Sequence, residues 1–147
     1  MKQGQKLESV RKLSRARERE AAARLVEALR AKHQAEETLT ELIAYRRQYE
    51  HALRQRYAQG QARPADLLNA RRFLEQLNQA VAVQQQRVAE HIAAVDELIA
   101  AWRRAHVDQR LLDELLARHR DEQRRLAARR EQREQDDSLA QRRHSVV

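Results

Sequence analysis

Apolar residues recur along most of this chain at the spacing of a coiled coil. In the second half they fill most heptad a positions from Leu67 to Trp102 and most d positions from Ala70 to Ala105. In the first half the same repeat runs from Leu25 to Leu53, with more polar interruptions. A 3.5-residue repeat sustained over so many turns predicts long helices that pair in a left-handed coiled coil.

One segment, residues 58–65, interrupts this helical pattern. Gly60 favours a helix stop, while Pro64 lacks a backbone donor and disfavours helix at the residue before it. The sequence therefore predicts a helix over about residues 5–58, a turn over 59–64 and a helix over about 65–140, within one domain of residues 1–147. Asp66 is expected to be the cap or a first-turn carboxylate of the second helix.

Two long helices joined by a short turn predict an all-α, antiparallel two-helix coiled-coil hairpin. In that arrangement residue 7 lies level with about residue 115, so the second helix overhangs the first. The overhang, residues 118–147, has few apolar side chains, and we expect it to be partly disordered when it is alone.

Composition makes catalysis improbable. Of 147 residues, 35% are charged, only two are glycine, one is proline and none is cysteine. Glycine-rich phosphate loops and nucleophile elbows therefore have no basis, and the histidines are scattered. Carboxylates interleave with arginines at helical spacing, which is typical of solvated ion pairs. We expect no enzyme, no catalytic residue, no cofactor, no metal and no small-molecule substrate.

Two aromatic residues lie in an unusual heptad position. Tyr45 and Phe73 fall at g, a flank of the seam where coiled coils usually place charge, and both g edges of an antiparallel pair lie on one side. With Tyr49 and Leu77 at d beside them, they predict a half-exposed apolar strip near the turn. The rings either anchor a partner or fold over the seam, and periodicity favours neither reading.

The net charge of +8 is concentrated in both ends of the chain. Residues 1–20 contain seven basic and three acidic residues, and residues 118–147 contain nine and six. Residues 21–117 are nearly balanced, with fourteen and thirteen. A hairpin brings the two basic segments together, either as a solvated end or as a docking end for an acidic or polyanionic partner.

Three segments resemble the FliJ family of small coiled-coil proteins of flagellar type III export. They are Ala35–Tyr49 (Ala-Glu-Glu-x-Leu-x-x-Leu-Ile-x-Tyr-x-x-x-Tyr), Phe73–Ala80 (Phe-x-x-x-Leu-x-x-Ala) and Leu98–Arg103 (Leu-x-x-x-Trp-Arg). Their order and spacing match the family across both predicted helices. The sequence departs from the family's usual choices at Thr38 and Gln84, at the edges of the first two segments.

The resemblance implies a hairpin similar to the central stalk of rotary ATPases. Its paired termini are expected to enter the hexameric flagellar export ATPase, facing it with Arg11, Lys12, Arg15, Arg124 and Arg125. The family also contacts the cytoplasmic linker of the export gate and escorts export chaperones. The gate-binding strip corresponds here to Leu42, Tyr45, Tyr49, Phe73, Leu77 and Ala80.

The resemblance also implies a cytoplasmic protein located peripherally at the inner membrane, which it reaches only through the export apparatus. In agreement, the basic N-terminus leads into no signal-peptide core, and the longest apolar run, Leu98–Trp102, is too short to span a membrane.

Three other functions remain open from the sequence. One is the equivalent stalk of a virulence type III secretion system, although the pattern of Tyr45, Tyr49 and Phe73 favours the flagellar one. Another is nucleic-acid binding by the basic end, which is weakened by interleaved acids and by the lack of aromatic side chains there. The third is a self-associating scaffold.

Overall fold

The structure, a computed structural model, describes residues 2–61 and 63–146. Two helices, α1 (Lys2–Ala58) and α2 (Pro64–Ser145), make up almost all of this part, which contains no strand. The helices pack against each other, which confirms the predicted all-α helical hairpin. Both extend beyond the predicted bounds, α1 at its start and α2 at its end.

Helix α1 ends in a Schellman motif centred on Gly60. The Gly60 N–H donates to the Tyr57 carbonyl at 3.2 Å, and the Gln61 N–H donates to the Arg56 carbonyl at 3.2 Å. Gly60 has a φ of 69°, the left-handed conformation that this motif requires and that side chains with a Cβ rarely adopt. The predicted turn over 59–64 includes Ala62, which lies outside the described residues.

Helix α2 begins at Pro64, whose missing N–H costs nothing at a first helical position. The first intrahelical bond runs from the Leu67 N–H to the Arg63 carbonyl at 3.1 Å. Asp66 lies in the first turn, where a carboxylate interacts favourably with the helix dipole.

The chain divides into two compact units, which we call the turn unit (residues 21–102) and the terminal unit (residues 1–20 and 103–147). The single domain over residues 1–147 therefore stays a prediction. The turn unit contains both strands of the helical pair and the connection between them. Its buried residues are a and d residues of the seam: Ala35, Ala70, Leu77, Val81, Gln84 and Val95.

The terminal unit has a much smaller core. Its buried residues, within the part that the structure describes, are Ser14 and Leu116. From Arg120 to Val146 every described residue is exposed, as expected for a helix segment that overhangs its partner.

The predicted partial disorder of this overhang is wrong for the structure, in which α2 continues to Ser145. The segment is rich in Ala, Arg, Gln and Glu, residues with high intrinsic helix propensity, and contains no Gly or Pro. Few apolar residues predict little packing, but they do not by themselves stop a helix that already has a long nucleus.

Candidate partner-binding surfaces

Three aromatic rings form a cluster in the turn unit. The ring centroids of Tyr49 and Phe73 lie 4.7 Å apart, and those of Tyr45 and Phe73 lie 6.2 Å apart, with interplanar angles of 60° and 84°. Both pairs are edge-to-face contacts, the arrangement that aromatic quadrupoles favour. Phe73 thus lies between two tyrosines that come from the other helix.

The cluster is neither fully exposed nor part of the core. Tyr45 is 49% exposed, whereas Tyr49 and Phe73 are half-buried. The position-g placement therefore gives rings that contact each other while still presenting apolar surface to solvent. This is the half-exposed geometry that the sequence predicts for Tyr45, Tyr49 and Phe73.

The other predicted strip residues divide differently. Leu42 and Ala80 are half-buried, but Leu77 is buried, with 7% of its surface exposed. The predicted half-exposure of Leu77 is therefore wrong. Because Leu77 occupies a d position, it packs in the seam, and we infer that it supports the aromatic residues rather than forming surface itself.

Beside the aromatic cluster lies a shallow cavity of about 420 Å³. Its lining adds polar groups that the sequence analysis did not assign to this surface: Arg56, Asp66 and Asn69. The spacing of Asp66, Asn69 and Phe73 puts all three on one helix face, which is the signal that could have identified them. The surface near the turn thus combines apolar rings with a hydrogen-bonding edge.

Gln84, one of the two residues that depart from the family's usual choices, lies in the seam. Its Nε2 donates to the Ala35 carbonyl oxygen at 3.0 Å, and both residues are buried. The carbonyl of an interior helical residue has a second lone pair, so it can accept this bond in addition to its helical one. The bond ties one position of α2 to one position of α1.

In the terminal unit the predicted basic residues have different surroundings. The Arg11 guanidinium donates from Nε to Asp113 Oδ1 at 2.9 Å, and the Arg15 guanidinium lies 4.0 Å from the same oxygen. Lys12, Arg124 and Arg125 are exposed. Arg11 is therefore engaged in a cross-helix ion pair, whereas Lys12, Arg124 and Arg125 lie on the surface.

A second cross-helix pair, which the sequence analysis missed, joins His106 and Glu18. His106 Nδ1 and Glu18 Oε1 are 2.8 Å apart and partly buried. Arg11 and Glu18 both occupy a positions of α1, so the seam of this unit contains charged side chains. The sequence could not reveal these pairs, because they depend on the register between the two helices.

Neither helix has, within the described residues, a segment long and apolar enough to span a bilayer. The described residues also contain no group of three or more His, Cys, Asp or Glu side chains placed to hold a metal ion.

Together, the helical hairpin and its surfaces are those of a coiled-coil adaptor protein. The family model described as the flagellar FliJ protein matches residues 2–146, nearly the whole chain, so this chain belongs to the FliJ family. FliJ proteins are non-catalytic adaptors, and membership makes this chain a stalk protein of flagellar type III export. No curated protein and no solved structure matches it.

Proposed function

We propose that this protein is a stalk and adaptor that joins the hexameric flagellar export ATPase to the export gate. The observation that supports this best is that its two compact units offer different surfaces. The turn unit presents the aromatic cluster, and its charge is nearly balanced, with eleven basic and ten acidic residues. The terminal unit contains nineteen basic and twelve acidic residues, which is most of the net charge.

The aromatic cluster is the proposed contact for the cytoplasmic linker of the export gate. Tyr45, Tyr49 and Phe73 provide exposed ring surface with little side-chain entropy to lose, and Ala80 and Leu42 border them. Aromatic anchors of this kind dominate the free energy of many protein interfaces. Leu77 acts beneath them, by holding the helix face in place.

The terminal unit is the proposed contact for the export ATPase. Lys12, Arg124 and Arg125 are free to approach an acidic enclosure, while Arg11 and Arg15 lie next to Asp113. Excess positive charge of this size accelerates association with an acidic partner and makes the rate sensitive to salt.

Escort of export chaperones, a cytoplasmic location and peripheral association with the inner membrane through the gate complete the proposal. The match to the flagellar family favours the flagellar apparatus over a virulence type III secretion system.

The direct test measures ATP hydrolysis by the purified export ATPase with and without this protein. We expect stimulation by the wild type and its loss in the triple variant Lys12→Glu, Arg124→Glu and Arg125→Glu, which leaves the Arg11–Asp113 pair in place. Binding to the gate linker serves as the control and should be unchanged in the triple variant. Equal stimulation by a folded triple variant would show that these charges are only a solvated end.

A further inference from the structure

The terminal unit has an exposed apolar surface on one side of its seam. Val10, Leu13, Leu111 and Leu115 are between 47% and 53% exposed, and we call them the apolar flank. Val10 and Leu13 line a cavity of about 410 Å³ together with Asp108 of α2. Leu111 and Leu115 follow Asp108 by three and seven residues, so they lie on the same helix face as that cavity.

The other side of the same seam is ionic. Asp113 and His106 occupy heptad e positions of α2, across the seam from the g positions that Asp108 and Leu115 occupy. They pair with Arg11 at 2.9 Å and Glu18 at 2.8 Å. The terminal unit is therefore two-sided, with cross-helix ion pairs on one flank and leucine and valine on the other.

This arrangement reverses the ordinary pattern of a coiled coil. The a positions of α1 hold Arg11 and Glu18, and the buried d residue between them is Ser14. The large apolar side chains lie outside the seam instead, where they stabilise the pair of helices little. Apolar residues that are placed on a flank while polar residues fill the seam indicate a surface that an external partner covers.

The charge of the unit limits the kind of partner. Nineteen basic against twelve acidic residues favour an acidic surface, and the apolar flank requires that this surface also present apolar side chains. Nucleic acid fits poorly, since residues 1–20 and 103–147 contain no Phe, Tyr or Trp on which a base could stack.

We propose that the apolar flank is the docking face of the terminal unit, and that it binds an acidic protein surface that contains apolar side chains. The inference rests on the proposed function, in which this unit binds the export ATPase. It goes further in assigning the contact to Val10, Leu13, Leu111 and Leu115, with the surrounding basic residues steering the approach. The ionic flank then faces away and holds the two helices in register.

The test compares binding of the export ATPase by the full chain and by the double variant Leu13→Gln and Leu111→Gln. Both side chains are about half exposed, so we expect the helix content to stay unchanged while the dissociation constant rises about tenfold or more. Leu139→Gln is the matched control, because Leu139 is 56% exposed in the same unit but lies about 36 Å along the helix from Leu115. The control should bind like the wild type.

The outcomes separate this inference from the proposed function. If the wild type binds and the double variant binds equally well, the apolar flank is not the docking face, although the ATPase remains the partner. If the wild type does not bind at all, the proposed function itself fails. An equal loss in Leu139→Gln overturns the assignment to this flank.

Two further measurements protect the test. The variant Leu13→Ala with Leu111→Ala keeps high helix propensity and should show the same loss, which excludes local unfolding as the cause. Competition by a DNA duplex that removes the ATPase from the wild type, with equal DNA binding by the double variant, would show that the partner class is wrong.

Discussion

Gly60 is the residue at which α1 has to stop. Its φ of 69° would place a Cβ against the following carbonyl, so Gly60→Ala should lower the free energy of unfolding by about 1 kcal/mol. Gly4→Ala is the control, because Gly4 is helical and a Cβ there meets His119 Nε2 at an ordinary 3.6 Å. Urea titration measures both. A loss of stability in Gly4→Ala as large as that in Gly60→Ala would contradict the role of the left-handed turn.

Phe73 is the residue through which the aromatic cluster makes both of its ring contacts. Phe73→Ala should weaken binding of the gate linker by about 1–3 kcal/mol, because it removes the central ring of a half-exposed anchor. Helix content should change little. Isothermal titration with the linker, paired with circular dichroism, gives both quantities.

Tyr57→Ala provides the comparison for Phe73→Ala, since Tyr57 is an exposed aromatic residue of the same helical unit outside the cluster. Binding should be insensitive to it. Should Phe73→Ala instead abolish cooperative melting, the ring belongs to the core and the strip is not a binding surface.

At this scale the sequence predicts a residue's heptad position better than its partner. The g positions of Tyr45 and Phe73 were enough to predict half-exposed rings near the turn. The pairs Arg11–Asp113 and Glu18–His106 could not be predicted, because each joins residues about ninety or more positions apart and a shift of one turn would exchange them.

The pairing of the two helices is the central feature at the scale of elements. Spin labels at residues 25 and 98, both in the turn unit, should lie within the range of neighbouring helices, whose axes are about 10 Å apart. The chain has no cysteine, so two introduced cysteines suffice for labelling. One uninterrupted helix would separate these positions by about 110 Å, and a distance near that value would rule out the hairpin.

The register of this pairing depends on Gln84. A polar side chain in a seam commonly selects one register at a cost in stability, and Gln84 does so through its bond to the Ala35 carbonyl. Gln84→Leu should therefore raise the unfolding free energy by about 1 kcal/mol and broaden the distance distribution between the spin labels.

Gln85→Leu is the control for this substitution, because Gln85 is exposed and next in sequence. It should leave the distribution narrow. An equally narrow distribution in Gln84→Leu would mean that the apolar seam alone fixes the register.

Over the whole molecule, the architecture could be predicted because one short segment, with Gly60 and Pro64, interrupts an otherwise periodic chain. The helical state of residues 118–145 was harder to predict, since apolar periodicity reports packing and this segment packs against little. The apolar flank was missed for a related reason. Leu13 and Leu111 fall outside the a and d positions, and their significance depends on the charged seam beside them.

The two units also divide the proposed work of the protein. The turn unit, with balanced charge, offers aromatic surface, whereas the terminal unit combines positive charge with the apolar flank. Surfaces that differ in chemistry suit two different partners, as an adaptor requires.

A bridging measurement tests this central claim most directly. The gate linker is immobilised, and retention of the export ATPase is measured with and without this protein. The account predicts that the ATPase is retained in proportion to the added protein, and that Phe73→Ala and the Leu13→Gln, Leu111→Gln variant each reduce retention. Retention that is the same with and without the protein, under conditions in which it is folded, would contradict the account.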